Sequence, residues 1–226
     1  MFLKIPTTSS GLHKLDLTEL EKLFEQVFAD YPDCDFLKRV YDFAKHAHRT
    51  ESRKQSADIP YIVHPLRMVI YMFSVFKIKD RNLLSAALLH DTVEDTDVTL
   101  EQIRGKFGDK ITEYVDAMTR PRPADEDEHP DQKYQSKTNK LMQIMASSLK
   151  VRELKLFDLI DNMNDWPEPL SLEIFKDKYP RWLNEAENYY LPLAESVGPK
   201  YTQPLKEILA EMKKLGYKAA QSDFKE

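Results

Sequence analysis

The chain has 226 residues, with 33 Lys and Arg against 38 Asp and Glu, a net charge of −5, five glycines and one cysteine, Cys34. That acidic balance, without basic–aromatic interleaving, leaves no electrostatic footprint for nucleic acid, and one cysteine allows neither an intrachain disulfide nor a thiolate metal cage. No apolar run approaches the ~20 residues of a membrane helix, no signal-peptide h-region opens the sequence, and neither a GxGxxG nor a P-loop is present to cradle phosphates, so a cytoplasmic protein is expected, in which any metal is held by imidazole and carboxylate.

Helical signals dominate and period-2 runs are scarce, so the expected class is all-α. A capping box at Thr18-x-x-Glu21 predicts a helix towards Ala29, broken by Tyr31-Pro32-Asp33. Residues 1–30 then form an N-terminal helical segment and 31–226 the main domain, one structural unit overall. Phe36, Leu37, Val40, Tyr41, Ala44 and Ala47 recur at helical spacing. Residues 49–60, RTESRKQSADIP, read as a basic loop. A helix resumes near Pro65, a first-turn position, and runs to about Phe76.

Residues 81–91, RNLLSAALLHD, are apolar almost all round, the mark of a central buried helix. Thr99-x-x-Gln102 is a second capping box and Gly108 a helix stop. Another helix covers 109–119. The proline-rich, acidic stretch 120–136 reads as a mobile surface loop. Helices follow at 137–149 and 151–164, the latter ended by Trp166-Pro167-Glu168-Pro169. Beyond it, Pro180, Pro192, Pro199 and Pro204 punctuate a C-terminal helical extension.

His90 and Asp91 end the most apolar helix, where buried ionisable groups are costly unless paired or metal-bound. Glu94 and Asp95 follow at i+4 from each, making one polar patch if helical geometry persists. A helix end entering solvent would also explain the pair. In LKLFDLIDNM, however, Lys155, Asp158 and Asn162 form a narrow polar stripe opposite Leu156, Leu159, Ile160 and Met163, in surroundings too apolar for a solvated face. His64, just before Pro65, is the third piece. With His90, Asp91 and Asp158 it completes an N,N,O,O set suited to a divalent transition metal with open positions. His46 faces solvent; His48 extends an apolar stripe inward and either supports the site or merely packs. His13 and His129 lie in polar segments and are assigned no role.

YIVHP at 61–65, ALLHDTVEDTDVTLEQI at 87–103, FG at 107–108 and LKLFDLIDNM at 154–163 resemble the hydrolase domain of the RelA/SpoT group, and most closely the small alarmone hydrolases of the Mesh type. The resemblance covers roughly residues 36–211. It implies an all-helical HD-domain bundle that uses manganese to remove the 3′-pyrophosphate from (p)ppGpp, giving GDP or GTP. It implies that His64, His90, Asp91 and Asp158 bind the metal and that Glu94 and Asp95 position or activate water. It places Arg53 and Lys54 beside the base or phosphates and Asn162 near the ribose. Lys155 adds a cation to offset phosphoryl charge.

The chain departs from the family pattern at three places. Asp161 stands where His or Tyr is usual, Asn164 where Arg is frequent, and residues 55–59 lack a glycine turn. Two alternatives therefore stand beside (p)ppGpp: the same chemistry on (p)ppApp or on the 2′-phosphate of NADPH, and a binding or antitoxin role against an alarmone synthetase.

Overall fold

The computed structural model describes residues 3–53, 56–120, 130–166 and 179–222. Lys54, His129 and Pro167 to Pro169 lie outside the described residues. The helices are α1 (Ser9–Leu12), α2 (Leu17–Phe28), α3 (Cys34–Ala47), α4 (Val63–Ser74), α5 (Arg81–Leu89), α6 (Thr92–Asp95), α7 (Leu100–Phe107), α8 (Asp109–Met118), α9 (Pro130–Met145), α10 (Leu149–Asn164), α11 (Tyr179–Glu185), α12 (Leu191–Val197) and α13 (Pro199–Ser222). A π-helical turn, Ala186–Tyr190, joins α11 to α12.

The all-α expectation holds apart from one small hairpin. The stretch read as a basic loop contains β1 (Ser52–Arg53) and β2 (Ser56–Pro60), paired antiparallel with Ser52 opposite Pro60 and Arg53 opposite Ser56. Strands this short cannot display the alternation that signals a strand in sequence. The hairpin is closed at its base by Tyr61 N donating to Glu51 O at 3.0 Å.

Three other boundaries move. The cap of α2 is Asp16, whose carboxylate accepts from Glu19 N at 2.8 Å while Glu19 accepts from Asp16 N at 3.1 Å. Glu21, expected in that box, instead accepts from Tyr41 and Lys45, 2.6 Å each. α9 starts at Pro130, inside the stretch expected as loop. Proline is tolerated in a first turn, and the polar start of this helix carries no apolar stripe until Leu141 and Ile144, both buried. α13 runs through Pro204 rather than ending there. The Thr99–Gln102 capping box is present as expected, and Gly108, at φ +93°, separates α7 from α8.

α5 is the centre. Leu83 to Leu89 are all buried, against α3, α4, α8 and α10. Val63 to Met72 of α4 are buried as well. Each large apolar side chain fully buried here contributes roughly 1.5–3 kcal/mol, which offsets the ordering of polar groups at the helix ends. One continuous core extends from Leu12 to Met212. No helix among the described residues is long and apolar enough to cross a membrane. The start of α4, the end of α5 and the middle of α10 converge on one place, which is where the ionisable groups gather.

Candidate metal centre

His64 is the second residue of α4, His90 closes α5, and Asp91 caps the short α6. The helix does not run on unbroken here: α5 ends at Leu89, His90 and Asp91 form a turn, and α6 starts afresh at Thr92, with Asp95 N donating to Asp91 O at 2.9 Å. The two imidazole Nε2 atoms are 3.3 Å apart. Asp91 Oδ2 lies 2.9 Å from His90 Nε2 and 3.8 Å from His64 Nε2. Asp158 Oδ1, from α10, lies 3.3 Å from His64 Nε2 and 3.7 Å from His90 Nε2. The structure thus brings together all four residues of the expected N,N,O,O set, three of which, His64, His90 and Asp91, offer ligand atoms all within 4.8 Å of one another.

The tautomers suit a cation. His90 Nδ1 lies 2.9 Å from Ala87 O and His64 Nδ1 lies 2.7 Å from Asp161 Oδ2. Both neighbours only accept, so each ring carries its proton on Nδ1 and turns the Nε2 lone pair inward. Two lone pairs and two carboxylates facing one point repel one another unless positive charge sits between them. Burial alone pushes His90 down, but the Asp91 and Asp158 carboxylates hold it well above the usual imidazole range. Burial would likewise raise Asp158, yet Lys155, His64 and His90 hold it well below the carboxylate range.

Around this core the polar stripe of α10 closes up. Lys155 Nζ donates to Asp158 Oδ2 at 2.6 Å, and Asn162 Nδ2 donates to Asp158 Oδ1. Arg53 was expected on a loop outside the core. It is instead buried, donating to Asp165 Oδ2 at 2.9 Å and to Asn162 Oδ1 at 2.8 Å. Its guanidinium also lies 5.3 Å from the centre of the Tyr61 ring, and His48 stacks on that ring at 4.6 Å. His48 is therefore buried beside the site, and burial lowers its pKa to about 4. Its Nδ1 has no protein hydrogen-bond partner among the described residues. Glu94 accepts from Arg120 N at 3.0 Å and from Arg120 Nε at 3.3 Å, whereas Asp95 is exposed.

Sequence reasoning missed several members. The Tyr61 hydroxyl donates to Asp91 Oδ2. Arg67 and Asp161, both buried, and His13 and Asp165, both half-buried, form a layer behind His64. Two signals were available: Arg67 is a charge inside the apolar run VHPLRMVIYM, one turn after His64, and Asp161 and Asp165 continue the polar stripe of α10. No signal marks His13, which meets its partners 148 residues away.

Comparison with known proteins agrees with this geometry. The HD domain family model matches residues 41–198. A mouse protein named guanosine-3′,5′-bis(diphosphate) 3′-pyrophosphohydrolase MESH1 is 36% identical over 129 residues, which are 57% of this chain and 68% of the mouse protein. A guanosine-3′,5′-bis(diphosphate) 3′-pyrophosphohydrolase of Aquifex aeolicus is 32% identical over 193 residues, 83% of this chain, but the chain spans only 25% of that protein. The solved structure of a metazoan SpoT orthologue, described as hydrolysing ppGpp and acting in starvation responses, superposes with a TM-score of 0.65 at 22% identity over 77% of this chain and 94% of that one, a likeness of fold. A matched HD-domain model, a MESH1 relative covered over two thirds of its length and a His90–Asp91 pair that meets His64 and Asp158 in space agree: the chain belongs to the HD-domain family, in its RelA/SpoT and MESH1 branch.

Proposed function

We propose that the chain is a manganese-dependent phosphohydrolase that removes the 3′-pyrophosphate of (p)ppGpp, with His64, His90, Asp91 and Asp158 as the metal ligands. The observation that carries the reading is the convergence of two inward Nε2 lone pairs and two carboxylates at one point, in a chain whose MESH1 and Aquifex relatives bear the name of this activity. When bound, a divalent cation supplies Lewis acidity to water and to phosphoryl oxygens.

The chain's own groups account for the rest. Hydrolysis forms a bond from water oxygen to phosphorus and breaks the bond to the ribose 3′-oxygen, which leaves with a proton. Asp95, exposed one turn beyond Asp91, and Glu94, braced by Arg120, orient the water and take up its proton. Lys155, already against Asp158, offers its ammonium to the pyrophosphoryl group as water attacks it. Arg53 and Asn162, which hold each other, face the nucleoside, with His48 beside them; Lys54 is assigned to substrate binding from the sequence alone. A diffusible nucleotide substrate fits a cytoplasmic setting.

The test is to load purified protein with manganese and present ppGpp, ppApp and NADPH separately, identifying products by chromatography. Release of GDP and pyrophosphate from ppGpp, lost on chelation, is the expected result. Cleavage of ppApp or NADPH alone moves the substrate and keeps the chemistry. No turnover of any of the three, together with stable binding to an alarmone synthetase, replaces the hydrolase by the antitoxin reading.

A further inference from the structure

Five charged side chains from four elements meet behind His64. Asp161 and Asp165 come from the end of α10, Arg67 from α4, Arg53 from β1, and His13 from the residue that closes α1. His13 Nε2 lies 2.9 Å from Asp161 Oδ1 and its Nδ1 2.8 Å from Asp165 Oδ1. Both ring nitrogens face carboxylate oxygens, so both carry protons and both donate. Arg67 donates Nε to Asp161 Oδ1 at 2.9 Å and its Nη2 to Asp161 Oδ2 at 2.8 Å, and the same Nη2 reaches Asp165 Oδ2 at 3.0 Å. Asp161 Oδ2 also accepts from His64 Nδ1 at 2.7 Å.

Arg67 would neutralise Asp161 by itself, but its Nη2 is shared between two carboxylates. Arg53 serves Asp165 and, among the described residues, makes no bond to Asp161, so His13 supplies what Asp161 lacks: a further cation, shared with Asp165, and a second side-chain donor to Oδ1, the oxygen that His64 does not use. The Asp161 carboxylate is thereby held by His13 and Arg67 on one oxygen and by Arg67 and His64 on the other. A carboxylate fixed in this way fixes the ring that donates to it. Position 161 is also where the sequence departs from the family pattern, and a buried carboxylate there demands the cations that α1 and α4 provide. Leu12, fully buried beside His13, seats α1 on α4 and α10.

We infer that His13 is a positioning residue of the metal centre: acting through Asp161, the N-terminal segment sets the tautomer and orientation of His64. This rests on the reading of His64 as a ligand, so the experiment has an arm that needs no metal.

Four variants decide it. His13→Ala removes both bonds, His13→Gln keeps a donor where Nε2 meets Asp161, and His13→Asn keeps one only towards Asp165. Asp16→Ala loosens α2 without touching the cluster. In the metal-free protein, the 15N resonances of His64 report its tautomer; with manganese added, paramagnetic resonance of the free ion reports affinity. In His13→Ala and His13→Asn, His64 gains the Nε2–H tautomer and manganese affinity falls about tenfold, the low end of the ~10–100-fold typical of a ligand's outer partners. His13→Gln restores most of both, and Asp16→Ala changes neither. Unaltered His64 resonances in His13→Ala overturn the proposal, as does an altered tautomer with unchanged manganese affinity, or equal losses in Asp16→Ala. If the wild-type protein takes up no divalent cation, the metal reading falls by itself, and the His64 resonances of the three His13 variants still decide whether His13 acts through Asp161.

Discussion

The two nitrogens of the His64 ring look onto regions of opposite character. On the Nε2 side, His90, Asp91 and Asp158 bring lone pairs and negative charge to one point, with Lys155 as the cation at the edge. On the Nδ1 side, Asp161 and Asp165 are matched by Arg53, Arg67 and His13, donor against acceptor. The inner region could take a charge from outside; the outer region matches donor to acceptor within itself. The difference teaches how one bundle keeps a site open for a metal without letting it collapse: the flexible demand is placed on one nitrogen and the rigid support on the other.

Substitutions on the two sides should fail in different ways. The largest effect is expected from Asp91→Ala. Hydrolysis should fall by orders of magnitude while circular dichroism shows helicity retained, because the lost carboxylate belongs to the open side. Full activity in this variant removes Asp91 from the ligand set. Arg67→Ala should act in the reverse sense. Removing one partner of a buried ion pair costs about 3–5 kcal/mol, and urea unfolding should register it even with metal absent. An unchanged unfolding midpoint would show that the outer region carries no stability.

His13 gives a smaller effect with a sign in pH. Burial lowers its pKa, but the bonds to Asp161 and Asp165 outweigh this and raise it above 6.5. A group with a raised folded pKa contributes its full stabilisation below its unfolded value and loses it as pH climbs through the folded one. The gap in unfolding free energy between wild type and His13→Ala should therefore be widest below pH 6.5 and narrow as pH rises beyond it. A gap that widens with pH contradicts the pairing. The smallest effect is expected from Asp16→Ala, which lies on neither side. Loss of an N-cap costs about 1 kcal/mol, seen as a lower Tm, with manganese affinity unchanged.

Much of the inner region was legible because it breaks a pattern. His90 and Asp91 end the most apolar helix, and Asp158 lies on a narrow polar stripe in surroundings too apolar for a solvated face, so cost alone singles them out. The outer region was largely silent. Arg67 and Asp161 also sit in apolar runs, but their partners are a short hairpin, a hidden charge on α4 and a four-residue helix, none of which has a periodicity to read. Arg53 looked like loop charge because two-residue strands leave no alternation. His13 looked idle because nothing near it in sequence needs it. The early start of α9 was hidden for a related reason: its first turns are polar, so no stripe announces them.

The span between His13 and Asp161 also bears on how the molecule assembles. α4 to α6 can bring His64 and Asp91 together from neighbouring sequence, but Asp158 and Asp161 arrive with α10, and His13 closes across 148 residues. The length-dependent part of that closure is about 4 kcal/mol by the logarithmic law for loops, and it is recovered only once the intervening helices have packed. The cluster around His64 therefore needs helices from most of the length of the chain rather than any one helix pair. Core and site are thereby tied together: α10 carries buried side chains from Leu154 to Met163 as well as Asp158 and Asp161, so a chain that misplaces this helix loses both at once, and divalent-cation binding would serve as a readout of correct folding.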